Sequence, residues 1–353
     1  MDVTWVIPLV LIILAFSSLI MRIILPRLIQ YLKGKGKIGI DVHKLDKPEV
    51  AEMGGVGVLI VVCISATIPL ILFDNFIVKI QMVVFISVIG LAGLIGLVDD
   101  LYRLGSKMKP LLIAGASFPL LLANYFYFNQ IFNVDPKFPL IGDAFQITIL
   151  YWLLVPVAIT MAANAVNMID VVNGSMSGPC MVIFGTLLIC SLTKPTLDQH
   201  AITGAFLSAI MLGTITVFYL YNRYPAKVFA GDTGALTIGA GLALVGIMGR
   251  LEIVTVIVAI PLIINAFQLL ASVRGFIEGR KLKSRPSIVQ SDGTLAASTD
   301  IKAPLTLMRI VMAKGPLKEH EITRQFIILT LVCSILAIIT HVMVEYINVV
   351  TPP

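Results

Sequence analysis

Long apolar runs recur along this chain and are separated by polar connections. A transmembrane helix needs about 20 mainly apolar residues to cross a bilayer, and membranes leave no water for unpaired backbone groups, so such runs are expected to be helices. Hydrophobic residues make up 58% of the sequence and charged residues 13%. The predicted spans are Val3–Leu25, Gly55–Phe73, Ile80–Val98, Leu111–Phe128, Phe145–Ala163, Ser177–Leu192, Ala201–Tyr221, Ala235–Gly249, Ile253–Val273 and Phe326–Val344. The sequence therefore predicts an all-α polytopic membrane protein with about ten transmembrane helices.

The chain is expected to form one integral membrane domain over residues 1–353, with long polar loops at 26–54 and 274–325. The first apolar run is expected to remain as a span, because Asp2 stands where a cleavable signal peptide carries basic residues. The four cysteines fall singly in apolar spans, outside any CxxC or Cys/His cluster. They are expected to be small packing residues.

Basic residues are distributed unevenly among the connections between spans. Cytoplasmic loops are enriched in Lys and Arg. The odd-numbered connections, counted with Arg22 at the end of the first span, hold 22 of the 26 basic residues, and the even-numbered ones hold 4. The odd-numbered connections are therefore predicted to be cytoplasmic, with both termini outside. This topology, together with anionic lipid, accounts for the net charge of +6, so nucleic-acid binding is not expected.

The predicted spans contain almost no ionisable side chains. Among Asp, Glu, Lys, Arg and His they hold only Arg22 and His341, each near a helix end. Ion-coupled transporters place such groups along a path through the midplane of the membrane. The polar residues of this chain instead gather in the odd-numbered connections, which predicts a catalytic or binding face on the cytoplasmic side.

Two adjacent acids, Asp99 and Asp100, follow the third span. Negative charge at a helix C-terminus is unfavourable by roughly 0.3–1 kcal/mol, and the two acids also repel each other. A divalent cation or a cationic clamp would offset this cost, and Lys109 follows after a short turn. The pattern predicts a site for phosphate chemistry. The alternative is that the two carboxylates only extend into the water around the lipid headgroups. A DDxxD motif is excluded because Arg103 occupies its last position.

A polar row ends the fifth predicted span. Asn164, Asn167 and Asp170 are spaced i, i+3, i+6, so a helix would place them on one face. Carboxylate and amide oxygens suit Mg²⁺, and the pair Asn173-Gly174 that follows is typical of a turn. Helix capping and turn formation would explain the turn pair alone but not the whole row.

Acidic and basic residues in three further connections complete the predicted face. Asp232 precedes the eighth span, where it is expected to cap the helix or to hold a metal with a phosphate. Glu52 and His43 lie in the first loop, whose basic and glycine-rich segment can follow an anionic headgroup. The basic segment Arg274–Arg324 could contact a pyrophosphate, or could serve only as a positive-inside anchor.

Taken in order, the segments EMGGVG, GLVDD with its later lysine, NAVNMIDVVNG and FAGDTGALTIG make the chain resemble the polyprenyl-phosphate N-acetylhexosamine-1-phosphate transferase family. The resemblance covers nearly the whole length. It implies a ten-span helical fold, dependence on Mg²⁺ or Mn²⁺, and transfer of a sugar-1-phosphate from a UDP-sugar to a membrane polyprenyl phosphate with release of UMP.

The last long loop indicates a branch of that family. It has no histidine from Arg274 to Glu319, whereas bacterial members that make lipid I carry a histidine-rich motif there. The segments APLTLMRIVMAKGPLKEHEIT and GIDVHKLDKPEVAEMGG instead resemble archaeal and eukaryotic dolichyl-phosphate GlcNAc-1-phosphate transferases, which begin N-linked glycan assembly. UDP-GlcNAc is therefore the expected donor and a dolichyl or other polyprenyl phosphate the expected acceptor.

The resemblance also implies roles for individual residues. Asn167 and Asp232 are the implied metal ligands, and Asp99 and Asp100 the acids that organise the acceptor phosphate. Lys109 and Arg285 are implied to hold phosphate oxygens, and Asn164 is implied to support the site. Asn173 is implied to contact the uridine and Glu52 the sugar, whereas the role of the acid Asp170 is open. Lys283 lies in the segment KLKSRPS, which departs from the arginine-rich motif of the eukaryotic enzymes.

Two other classes remain open at this stage. A lipid transporter or scramblase would bind polyprenyl phosphate without releasing UMP, and the uncharged midplane disfavours it. Another membrane transferase is the second alternative, although the chain lacks the DGxxAR motif of CDP-alcohol phosphotransferases. The expected location is a prokaryotic plasma membrane, or the endoplasmic reticulum with the same topology in a eukaryote. A homodimer is compatible with the sequence, which does not fix the oligomeric state.

Overall fold

The computed structural model describes residues 5–132, 148–273, 275 and 284–350 of a mainly helical chain. Parts of the first and fifth predicted spans, most of the segment 274–283 and Lys283 lie outside these residues. The helices are α1 (Val6–Gly34), α2 (Gly55–Leu72), α3 (Phe76–Tyr102), α4 (Met108–Ala116), α5 (Phe118–Phe126), α6 (Thr148–Ile169), α7 (Ser177–Leu192), α8 (Gln199–Asn222), α9 (Gly231–Met248), α10 (Glu252–Val258), α11 (Ile260–Val273), α12 (Leu307–Val311) and α13 (Glu319–Val350), with a short 3₁₀ helix at Met312–Lys314.

Within the described residues, seven helices are long and apolar enough to cross a membrane: α1, α2, α3, α6, α8, α9 and α13. The bent pair α10 and α11 would make an eighth span. Helix α7 has 16 residues, which gives it a length of about 24 Å against about 30 Å for the hydrocarbon core. The class predicted from sequence, a polytopic membrane protein, is confirmed, whereas the number of ten spans stays a prediction.

Two of the predicted spans are broken helices. The fourth consists of α4 and α5, which meet at Ser117, two residues before Pro119. The ninth consists of α10 and α11, which meet at Ala259 before Pro261 with a bend of 66°. A proline inside a helix has no N–H for the i→i−4 bond and clashes with the preceding turn. The proline positions therefore account for both breaks.

Helices α8 and α9 form the centre of the bundle, since 18 of the 24 residues of α8 and 16 of the 18 residues of α9 are buried in the protein. Helix α9 packs against α2, α3 and α6, and α8 packs against α1 and α7. The long outer helices α1 and α13 are mostly exposed, although both are strongly apolar. In water such a surface would be very unfavourable, so the described exterior is that of a protein surrounded by lipid.

The central helices approach one another closely where glycines face backbone. A Cβ atom on Gly55 would lie 2.0 Å from the backbone nitrogen of Gly234, and one on Gly96 would lie 2.6 Å from the backbone oxygen of Asp232. Only glycine fits at such distances. These contacts hold the start of α9 against the start of α2 and the end of α3.

Two small antiparallel hairpins lie in the long loops, so the protein is not strictly all-α. Strands β1 (Ile38–Ile40) and β2 (Glu49–Ala51) form the first, and β3 (Ser287–Val289) and β4 (Leu295–Ala297) form the second. The first hairpin is tied to the segment before α9, because the Phe229 backbone N–H donates to the Ala51 oxygen over 2.8 Å. The predicted first loop is thereby attached to the start of α9.

We expect Gly55→Ala to destabilise the protein by at least about 1–3 kcal/mol, because the new methyl group would overlap the α9 backbone. The control is Gly90→Ala in α3, where a Cβ atom would meet no neighbour within 4 Å. Thermal unfolding of both variants in one detergent measures the difference. Equal unfolding temperatures for the two variants would contradict the close approach of α2 and α9.

Candidate active site

The acids at the end of α3 face the beginning of α9. Asp100 Oδ1 accepts a hydrogen bond from the Asp232 backbone N–H over 2.7 Å. Asp100 Oδ2 accepts from the backbone N–H of Thr233 over 3.0 Å and from its hydroxyl over 2.6 Å. The N-terminus of a helix is the positive end of its dipole. The charge that is unfavourable on α3 is therefore stabilised by α9.

The prediction that Asp232 caps the eighth span is wrong in its detail. Helix α9 begins at Gly231, so Asp232 lies in the first helical turn, and the N-cap residue Ala230 has no side chain able to cap. Asp100 supplies the missing acceptor from α3 instead. Gly231 has a φ of +68°, and a Cβ atom there would lie 2.9 Å from the Asp100 carboxylate oxygens. The side chain of Asp232 is consequently free to face the site.

Lys109 joins two of the acids. Its ammonium lies 2.9 Å from Asp99 Oδ2 and also contacts Asp232 Oδ1. Asp99 is 8% exposed, and its other oxygen accepts from the Leu104 backbone N–H over 2.5 Å. The turn between α3 and α4 starts with Arg103 at a φ of +57°. That turn returns the chain so that Lys109, in the first turn of α4, faces the acids that precede it.

Helix α6 contributes Asn164 and Asn167 of the predicted polar row, but it ends at Ile169, so the predicted helical continuation to Asp170 is wrong and Asp170 lies just beyond the helix. Asn167 Nδ2 donates to Asp232 Oδ1 over 2.7 Å, so the two predicted metal ligands are in contact. Burial and the negative charge of Asp232 raise the pKa of Asp170 to about 7. Asn164 lies one turn deeper, and its amide donates to the Thr160 backbone oxygen of its own helix over 2.8 Å. Asn167 therefore contacts α9 directly, whereas Asp170 interacts with Asp232 through its charge.

The charges of this cluster suit a divalent cation. Four carboxylates belong to this cluster: Lys109 contacts those of Asp99 and Asp232, Asp100 accepts hydrogen bonds from the start of α9, and Asp170 interacts with the charge of Asp232. Uncompensated carboxylates are costly away from water. Rotation of the Asn167 amide would present its oxygen where its nitrogen now meets Asp232, and hard oxygen donors are the ligands Mg²⁺ prefers. The donor set and the excess negative charge fit a magnesium-type ion.

A second polar cluster holds the turn after α6. Asn173 is 3% exposed, its backbone N–H donates to Glu319 Oε1 over 2.7 Å, and its amide donates to Asp41 Oδ2 over 3.0 Å. Its backbone oxygen accepts from the Thr323 hydroxyl over 2.8 Å. Gly174 has a φ of +80°, as the predicted turn requires. The turn is fixed on one side by the first loop and on the other by α13.

Three potential ligands in this second cluster lie close enough to hold a metal. One oxygen or nitrogen atom from each of Asp41, His43 and Glu319 lies within 4.8 Å of the others. The ammonium of Lys44 contacts Asp41 and lies 3.8 Å from Glu319 Oε2, so a protein cation already faces both carboxylates. Burial lowers the pKa of His43, and nearby Arg285 and Lys44 lower it further against the opposing charge of Asp41.

Two predicted substrate-binding residues lie beside these clusters without contacting the acids. Glu52 follows β2, and its carboxyl carbon lies near Gly39, where a Cβ atom would be 3.6 Å away and would also touch the Phe229 ring. Arg285 is exposed beside β3, and its positive charge lowers the pKa of His43. The structure thus brings together Asp99, Asp100, Lys109, Asn167 and Asp232, with Asp170 close enough for its charge to act on Asp232. Asn173 and Arg285 belong instead to the second cluster, around Asp41, His43 and Glu319.

Sequence reasoning did not single out Asp41, Lys44 or Glu319. Asp41 and Lys44 have the i, i+3 spacing of an ion pair, but they lie in a loop rich in lysine where such pairs are common. Glu319 meets Asn173 across 146 residues of sequence. No local pattern identifies a partner at that separation.

The comparisons with known proteins agree with this geometry. Residues 81–250, which include both α3 acids, the α6 row and the start of α9, match the model of glycosyl transferase family 4. The chain is 30% identical over 288 residues, 81% of its length and 82% of the other, to a Saccharolobus solfataricus protein named provisionally as a UDP-N-acetylglucosamine–dolichyl-phosphate N-acetylglucosaminephosphotransferase.

Two further relatives extend the comparison. A glycosyltransferase of Methanocaldococcus jannaschii, also named provisionally, is 28% identical over 316 residues, 89% of each chain. The phospho-N-acetylmuramoyl-pentapeptide-transferase of Bacillus subtilis is 28% identical over 237 residues, 65% of this chain and 70% of the other.

The helical bundle, with the acidic cluster at the start of α9, is thus that of a membrane transferase. The chain belongs to glycosyl transferase family 4. The resemblance found in its sequence motifs is therefore confirmed, and the alternative of a lipid transporter or scramblase receives no support from its relatives.

Proposed function

We propose that this enzyme transfers N-acetylglucosamine-1-phosphate, or a related N-acetylhexosamine-1-phosphate, from a UDP-sugar to a polyprenyl or dolichyl phosphate. The products are a lipid-pyrophosphate-linked sugar and UMP. The observation that carries the proposal is the Lys109 ammonium between Asp99 and Asp232, with Asp100 fixing the start of α9 beside them. The family and the names of the relatives support the choice of substrates.

We assign the metal to Asp232 and Asn167, with Asp170 close to it, and expect Mg²⁺ or Mn²⁺. When bound, the ion would neutralise donor pyrophosphate oxygens and stabilise the leaving phosphate. Asp100 would act on the site mainly through α9, because both of its oxygens already accept hydrogen bonds there. Asp99 would keep the Lys109 ammonium in place.

The chemical obstacle is that both substrates are anions. An oxygen of the acceptor phosphate attacks the β-phosphorus of the donor, and the bond from that phosphorus to the oxygen bridging the α-phosphate breaks, so UMP leaves. A phosphate monoester is largely ionised at neutral pH, so the step needs no base to remove a proton. Lys109 reduces the repulsion between the two phosphates, and fixed positions supply much of the remaining rate.

We place the nucleotide next to the Asn173 turn and the sugar toward Glu52. The turn is held by Asp41 and Glu319, so a bound nucleobase would meet a fixed backbone. Glu52 lies near Phe229, three residues before Asp232, which would bring the sugar close to the pyrophosphate. Arg285, and Lys283 in the segment outside the described residues, would contact phosphate oxygens.

We infer the orientation from the distribution of basic residues, which places the site on the cytoplasmic face of a ten-span protein with both termini outside. A prokaryotic plasma membrane is the proposed location. The product would begin the assembly of an N-linked glycan or a surface polysaccharide, with the acceptor entering from the membrane and the UDP-sugar from the cytoplasm.

The proposed function predicts that purified protein releases UMP from UDP-GlcNAc only when Mg²⁺ and a short-chain dolichyl phosphate are both present. UMP release across a panel of UDP-sugars measures activity and donor choice together. Chelation of the metal is expected to stop the reaction, and added Mg²⁺ or Mn²⁺ to restore it. Folded protein that releases no UMP from any donor would refute the proposed reaction.

We expect Asp100→Asn and Asp232→Asn each to reduce transfer by about 100-fold or more while leaving the protein folded. An asparagine at 232 removes charge from the metal site, and one at 100 offers a single acceptor oxygen to the α9 N-terminus. The matched control is Asp74→Asn, since Asp74 is an exposed acid before α3, at the opposite end of that helix from the site. If either site variant turned over substrate nearly as fast as this control, the residue substituted in it would not be needed for transfer, and the assignment of that residue would be wrong.

A further inference from the structure

A positively charged cavity lies behind the Asn173 turn. Its volume is about 560 Å³, and it opens between the end of α8, the connection to α9 and the start of α13. Arg223, Lys227 and Arg324 line it, and none of its lining residues is Asp or Glu. All three cationic side chains are exposed. The cavity thus concentrates positive charge at the same end of the bundle as the α9 site.

These cations have no acidic partner within the described part of the chain. None of the ion pairs there involves Arg223, Lys227 or Arg324. The Lys227 ammonium instead lies 5.8 Å from the centre of the Tyr221 ring. Three like charges in one cavity repel one another, so an anion would stabilise them together.

The same cavity has an apolar side. Leu220, which is 52% exposed, and the half-buried Ile327 line it together with the Tyr219 ring. Leu220 lies near the end of α8 and Ile327 on α13, both membrane-spanning helices. A ligand that fills the cavity would therefore place its charged group against the three cations and an apolar chain along the outside of the bundle.

We propose that this cavity binds the phosphate headgroup of an anionic membrane lipid. Basic pockets between transmembrane helices on the cytoplasmic side recognise such headgroups, and tyrosines favour the interface between water and hydrocarbon. The cavity shares no lining residue with the acidic cluster of Asp99, Asp100, Asp170 and Asp232. Thr323 lines the cavity, and its hydroxyl donates a hydrogen bond to the Asn173 backbone oxygen over 2.8 Å. A bound lipid would therefore pack against a residue that holds the Asn173 turn in place.

The test measures binding of phosphatidylglycerol to the purified full chain by native mass spectrometry, with phosphatidylcholine of the same acyl chains for comparison. We expect preferential retention of phosphatidylglycerol, and a loss of affinity of roughly 30-fold in Arg223→Gln/Arg324→Gln, since each interfacial cation contributes about 5-fold. The control Arg27→Gln/Lys33→Gln removes two exposed cations from the end of α1 and should change the affinity less than about 3-fold.

Three results would overturn the proposal. The first is equal retention of the two lipids, and the second is an equal loss in the cavity and control variants. The third is displacement of phosphatidylglycerol by millimolar glycerol 3-phosphate, which would make the site one for free phosphate esters. Matching unfolding temperatures for the two double variants show that the comparison is between folded proteins. The readout does not require transfer activity, so it stands apart from the test of the proposed function.

Discussion

The hydrogen bonds from the first turn of α9 to Asp100 determine the geometry of the whole site. A carboxylate in the last turn of α3 lies at the negative end of that helix, and the backbone N–H groups at the start of α9 are the opposite pole that stabilises it. Gly96, one turn earlier, permits the backbones to approach. Because this contact fixes α3 against α9, it also fixes Asp99 and Asp232 at the distance that Lys109 bridges.

The site that results carries more negative charge than the described protein groups neutralise. Helix α3 contributes two carboxylates, α9 contributes one, and Asp170 follows the end of α6, whereas α4 contributes one ammonium. Such an excess of negative charge destabilises a folded protein unless a bound ligand neutralises it. A divalent cation with a pyrophosphate would do so, which is why the proposed reaction and the charge balance of the site support the same conclusion.

Much of this could be predicted from sequence, because the signals are local. The length of the apolar runs predicts most of the helices, and the spacing of Asn164 and Asn167 predicts a polar face on α6. The breaks at Pro119 and Pro261 are not among the predictions, although the prolines explain them. The features of the site that the sequence does not predict depend on contacts between distant segments. Asp100 and Asp232 are 132 residues apart, and Glu319 meets Asn173 from the last helix, so no periodicity reveals either pairing.

The most direct test of this account is binding of Mn²⁺ to the purified full chain, followed by electron paramagnetic resonance. The account predicts one high-affinity ion that is lost in Asp232→Asn and kept in Asp41→Asn, because the proposed ligands are Asn167 and Asp232 and not the cluster around Asn173. An ion that survives Asp232→Asn but is lost in Asp41→Asn would contradict the account and move the metal to the second cluster.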